Sequence, residues 1–222
     1  MRRLFCAFLI SFSCISVSAQ ISIGETERVT AYDKYQKATV YLKDGQKVKT
    51  YGNIFLKNCS FIYNRNGKPY EVDTKRIDHV VIGKDTYITC DTVLAKLDTV
   101  INGNMMLTAT MIDVEAWITK MRNAHDITSL SLGEVMQWTA IDNSTEKDRM
   151  YPLVALYYYK YDDKFIRASE RPVWHALPKN KRYAYRAYVE SGMFRWSDKD
   201  NLIELLGIIS RDDEAQTGKK DK

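Results

Sequence analysis

From Lys37 to Ile88 apolar and polar positions alternate in short runs. Thr39-Val40-Tyr41-Leu42 leads to Asp44-Gly45, followed by Lys47 to Phe55, Ser60 to Tyr63, the pair Asn66-Gly67, Tyr70 to Val72, and Ile77 to Ile82. A period of two marks strands with one buried face, and Asp-Gly and Asn-Gly reach positive φ cheaply in a hairpin turn. Five or six short strands within about 50 residues predict a meander or a small barrel.

The β signal continues from Asp91 to Ser169. Val93, Ala95 and Leu97 alternate with Leu94, Lys96 and Asp98, and Asn102-Gly103 marks another hairpin. Met106, Thr108, Thr110, Ile112, Val114, Ala116 and Ile118 share one face if the strand runs on; a helix from Asp113 to Arg122 competes with it. Leu130 to Ile141 is weakly strand-like, and Asp142 to Arg149 reads as a loop. Leu153 to Tyr161, Asp162-Asp163 and Lys164 to Ala168 predict a further hairpin.

After Ser169 the period changes. Pro178 suits the opening of a helix over Lys179 to Glu190, which Ser191-Gly192 stops. Ser197 and Asp200 are spaced as a capping box. Leu202, Leu205, Leu206 and Ile209 then fall at i, i+3, i+4 and i+7, one apolar helix face expected to be buried. Arg211 to Lys222 is charged, has no large apolar residue and is expected to fray.

The expected plan is α+β: a β-rich meander or small barrel, further antiparallel strands, and helices segregated at the C-terminus. Its expected parts are a leader at 1–19, a small β domain at 20–90, a second antiparallel region at 91–169, a helical region at 170–210, and a tail at 211–222. The order strand, Lys43-Asp44-Gly45, strand, Gly52, strand, Asn66-Gly67, strand, Ile77 to Ile82 resembles small SH3-like and Sm-like barrels. The resemblance covers about a quarter of the chain and implies a shape alone, because fold does not fix function. Sm-type RNA-binding residues are not recognisable in it.

Residues 1–19 have the build of a secretory leader. Arg2 and Arg3 precede an apolar stretch from Leu4 to Ile15, and Val17-Ser18-Ala19 fits cleavage before Gln20. Lipid attachment at Cys14 fits less well, since Phe12 and Ser11 depart from that pattern. The leader is similar to bacterial secretory signals, particularly those of Bacteroidota. In that group Asp-Thr-Val is similar to an O-glycosylation acceptor, which Asp91-Thr92-Val93 and Asp98-Thr99-Val100 match. Asn58-Cys59-Ser60 and Asn143-Ser144-Thr145 match the N-glycosylation acceptor. The expected location is therefore the periplasm or cell envelope, with no transmembrane segment once the leader is gone.

Hydrophobic residues make up 45% of the 222, which excludes a disordered or collagen-like chain. Losing Arg2 and Arg3 lowers the net charge of +5 by two, too little to argue for a nucleic-acid partner. Cys59 and Cys90 alone follow the leader, and two separate buried thiols are favoured over a disulfide.

Candidate chemistry is sparse. His79, His125 and His175 lie far apart, and no Cys-x-x-Cys occurs, so no metal is expected. Gly-x-Ser-x-Gly, Gly-x-Gly-x-x-Gly and Gly-x-x-x-x-Gly-Lys are absent, so neither a cofactor nor a catalytic residue is expected. The aromatics are the distinctive feature. Tyr157, Tyr158, Tyr159 and Tyr161 share one strand, and Trp174, Tyr183, Tyr185, Tyr188, Phe194 and Trp196 interleave with Lys181, Arg182, Arg186 and Arg195. Packing is the favoured role, with Ala184, Ala187 and Tyr188 against the sheet and Arg182 and Arg186 wet. The alternative is a stacking surface for sugar or peptide built from Tyr157, Tyr159, Tyr161, Trp174, Tyr185 and Trp196. The expectation is an exported, non-catalytic structural or interaction module whose partner is an envelope protein or glycan. A carbohydrate- or peptide-binding protein comes second, and a hydrolase with an unrecognised site third.

Overall fold

A computed structural model of the protein describes residues 28–125 and 151–211. The leader, Cys14, the Asn143 acceptor, the Leu130–Ile141 and Asp142–Arg149 readings and the tail beyond Arg211 lie outside the described residues. Ten strands form one antiparallel sheet: β1 (Gln36–Leu42), β2 (Lys47–Phe55), β3 (Ser60–Arg65), β4 (Lys68–Val72), β5 (Ile77–Ile82), β6 (Asp85–Cys90), β7 (Val93–Ile101), β8 (Asn104–Ile112), β9 (Leu153–Tyr161) and β10 (Lys164–Arg167). Their order across the sheet is β10-β9-β8-β7-β6-β5-β1-β2-β3-β4. A 3₁₀ turn over Thr74–Arg76 carries the chain from β4 back to β5, which pairs with β1. The 90/91 boundary expected from sequence is the β6–β7 turn, inside this one sheet.

The turns sit where the sequence places them. Gly45, Gly67 and Gly103 have positive φ, as do Asn66, Asn102, Asp162 and Asp163. The sheet curls into a half-barrel. The β2–β3 turn closes it by entering between the diverging ends of β7 and β8. There the Leu94 N–H donates to the Cys59 carbonyl at 2.8 Å, the Ile112 N–H donates to the Leu56 carbonyl at 2.8 Å, and the Cys59 thiol donates to the Thr110 carbonyl at 3.2 Å. Cys59 bends to φ 54° in this wedge.

Inside the curl lie Ala38, Val40, Ile54, Phe61, Ile77, Val80, Ile82, Tyr87 and Leu94. Gly52 is required here: a Cβ on it would come within 2.1 Å of the Phe61 ring. A polar cluster rims this core. Tyr32 donates to Asp85 at 2.7 Å and its hydroxyl meets that of Tyr87 at 2.9 Å, while Lys96 pairs with Asp85 at 2.9 Å. Hydrogen bonds from Lys96 and Tyr32 hold the Asp85 carboxyl below its ordinary pKa, and burial raises both tyrosines.

Four helices are described: α1 (Val114–His125), α2 (Glu170–Ala176), α3 (Arg182–Val189) and α4 (Lys199–Ile209). Three follow β10. The strand expected to continue through Ile118 instead ends at Ile112, because Asp113 caps α1 by accepting from the Ala116 N–H at 2.9 Å. The helix expected over Lys179 to Glu190 opens as a 3₁₀ turn over Lys179–Lys181, and α3 begins at Arg182. The cap of α4 is Asp198 rather than Ser197; its carboxylate accepts from Asp200 and Asn201 N–H at 2.9 and 3.1 Å. Among the described residues no helix is long and apolar enough to cross a membrane.

Candidate binding groove

Strand alternation directs Tyr157, Tyr159 and Tyr161 to the face that α2, α3 and α4 cover. Under the helices lie Met106, Tyr159, Val173, Leu177, Tyr185, Leu202, Leu205, Leu206 and Ile209. The expected burial of the α4 stripe is what the structure shows. α4 is also tied down by charge. A bulge in β7 presents Asp98, whose 5% exposed side chain accepts from Lys199 at the start of α4 and from Thr108.

The six aromatics of the sequence-derived surface do not share one surface. Tyr159 is fully buried and donates to the Leu202 carbonyl at 2.7 Å; burial drives its hydroxyl pKa well upward. Tyr185 is also buried, donates to the Glu170 carbonyl at 3.4 Å, and is pushed up to about 12 by burial, with Glu170 and Glu190 adding to the shift. Tyr161 is half-buried and donates to the Ile209 carbonyl at 3.4 Å. Half-buried Trp174 is covered by the guanidinium groups of Arg182 and Arg186, 4.7 and 4.4 Å from its ring. Tyr185, not the Ala184 and Ala187 pair, is the buried residue of α3; Arg186 is exposed as expected and Arg182 half-buried, and both guanidinium groups lie over Trp174.

The remaining two meet. Tyr157 and Trp196 line a groove of about 470 Å³ with Leu153, Val154, Ala155, Arg167, Ala168, Ser169 and Ser197. Its upper wall is the loop before α4, stiffened by edge-to-face contacts of Phe194 with Trp196 and with Tyr188, at 4.8 and 5.4 Å. The Arg195 N–H donates to the Asn201 side chain at 2.9 Å and completes that support. Arg167, at the far rim, lies over the Tyr158 ring at 5.3 Å. Leu153 is 52% exposed, a large apolar side chain at the groove's open end.

Sequence reasoning passes over Leu153, Ala155, Ser169 and Ser197. One signal points to them: the strand before Asp162-Asp163 is about twice as long as the strand after it.

Elsewhere the chemistry is modest. His79 contacts Asp78 at 2.7 Å and stacks on Tyr41 at 4.1 Å on the open sheet face, and none of its described contacts is to a serine, threonine or cysteine. Among the described residues no three metal-ligating side chains converge. Cys59 and Cys90 are free and share one buried cluster with Ala95, Leu107 and Ala109. Thr92 is exposed in the β6–β7 turn, whereas Thr99 is half-buried beside the Asp98 bulge. Asn58 is exposed and donates to Glu71 at 2.6 Å.

No family model matches the chain, and neither a curated protein nor a solved structure matches it.

Proposed function

We propose that the protein is an exported, non-catalytic interaction module of the cell envelope, and that the Tyr157–Trp196 groove is where it holds its partner. The groove carries the reading. Its lining combines two half-buried rings, the exposed side chains of Leu153 and Ala155 and two serines, and the Arg167 guanidinium that borders it is turned over Tyr158 on the other face of the sheet. Aromatic and aliphatic walls with a few hydroxyls favour binding over proton transfer or nucleophilic attack. The build of the leader supports export. The pairing of β1 with β5, which joins the first five strands into one unit, supports an SH3/Sm-like reading of that part.

In-cell photocrosslinking tests this. A photoreactive residue at Ser197 should trap a defined envelope component, whereas one at Lys49 on the barrel's outer face should not. Equal yields at both positions would end the groove reading. Intact mass of the protein recovered from the envelope should lack residues 1–19; full-length chain in the cytoplasm would end the export reading.

A further inference from the structure

β9 is nine residues long and β10 only four, so their ladder covers Tyr158 to Tyr161 alone. One more bond follows, from the Ala168 N–H to the Tyr157 carbonyl at 2.9 Å. Ser169 then caps α2 and the chain leaves the sheet. In an antiparallel strand each residue points both its N–H and its C=O to one side, and the side alternates. Tyr157 faces the β10 side, so Ala155 and Leu153 do too. β8 pairs with β9 along its other edge down to Leu153. The N–H and C=O groups of Leu153 and Ala155 therefore border the groove with no strand beside them among the described residues, as does the Tyr157 N–H.

The other edges of the sheet are blunted. β4 begins Lys68-Pro69, and β10 is short and carries Lys164 and Arg167 at its ends. The open stretch of β9 carries Leu153, Val154, Ala155 and Leu156, without charge or proline. A row of solvent-exposed main-chain groups along an uncharged edge suits another main chain, because an extended peptide pairs with them in register and a sugar does not.

We propose that the groove binds an extended polypeptide segment as an added strand along Leu153–Tyr157, in the lane that β10 leaves at Ser169. The added strand places one apolar side chain between Leu153, Tyr157 and Trp196, and leaves the alternate side chains facing away. This rests on the reading of the groove as the partner site.

The test uses the mature full chain and linear dodecapeptides selected on it from a phage-displayed library. Bound peptide should slow hydrogen exchange of the Leu153 and Ala155 amides at least ten-fold. N-methylation of one alternate set of peptide nitrogens should weaken Kd at least ten-fold, and methylation of the other set should change it less than three-fold. Trp196→Ala, with thermal unfolding checked against the parent, should weaken every selected peptide at least ten-fold. If Trp196→Ala abolishes binding but the two methylated sets bind alike and the amides stay unprotected, strand addition is wrong and the groove reading survives. Neutral xylan or glucan oligosaccharides binding in a Trp196-dependent manner, with no peptide selected, would likewise overturn strand addition and leave the groove reading standing. Peptides indifferent to Trp196→Ala that leave both amides unprotected overturn both readings.

Discussion

Along β1 to β7 the sheet covers its own concave face by curling, whereas along β8 to β10 the same face is covered by helices. The two halves differ in what fills them. The curled half is mainly aliphatic around Phe61, with its polar groups gathered at the rim. The helix-covered half is rich in tyrosine: Tyr159, Tyr161 and Tyr185 each donate to a main-chain carbonyl, and Tyr188 donates to the Glu204 carboxylate at 2.7 Å. A curled sheet satisfies its backbone through its own ladder. A helix laid on a sheet presents carbonyls that take a second hydrogen bond, and a phenol delivers one while burying a ring. The difference shows how one sheet places its aliphatic residues where it meets itself and its tyrosines where it meets helices.

Substitutions on either side can break this comparison. Phe61→Ala should have the largest effect, about 3–5 kcal/mol of unfolding free energy. Hydrogen exchange should show protection lost first in β1 to β7; equal loss from β9 and α4 would mean that the halves form one cooperative unit. Leu205→Ala should cost about 2–5 kcal/mol and loosen α4 before the barrel strands. Thermal unfolding unchanged from the parent would show that the α4 stripe is not core.

Tyr159→Phe sharpens the contrast by removing only the donor to Leu202, and chemical denaturation should report a loss of roughly 0.5–1.5 kcal/mol. The equivalent hydroxyl deletion at Tyr63, in the curled half, should cost less.

The smallest expected effect concerns the thiols. Burial pushes Cys59 up to about 12 and Cys90 up to about 11, with Asp91 adding to the latter. In the unfolded chain both ionise near their ordinary value. Above that value the unfolded state holds fewer protons, so stability falls as pH rises from about 8.5 toward these raised values. Below it the contribution is complete. Replacement of both by Ala should flatten that alkaline decline, measured as denaturation midpoint against pH. Added reductant at neutral pH should leave the melting temperature unchanged.

Much of the strand pattern was legible because its turns carry their own chemistry: Asn66-Gly67 and Asn102-Gly103 announce positive φ regardless of context. The α4 stripe was legible because four apolar residues at helical spacing leave little choice. The end of β8 was not. Apolar alternation runs through Val114, Ala116 and Ile118, and only the Asp113 side chain, folded back on the Ala116 N–H, decides for helix. The rotation of α3 was also hidden, since a tyrosine and two alanines compete for the inward side and the large ring buries more area. In the groove, Tyr157 and Trp196 were visible as residue types among six. Their selection depends on where Tyr159 and Tyr185 are buried and where β10 stops.

The contact between Gly52 and Phe61 has a consequence for descent. Because a Cβ at position 52 occupies the space of the Phe61 ring, position 52 cannot gain a side chain while the ring stays. Trimming the ring alone does not admit alanine at 52, because the same Cβ would also lie 2.8 Å from the Ile62 carbonyl oxygen, which the β2–β3 ladder holds in place. Position 52 should therefore stay glycine across relatives for as long as β2 and β3 keep this register, even where residue 61 shrinks.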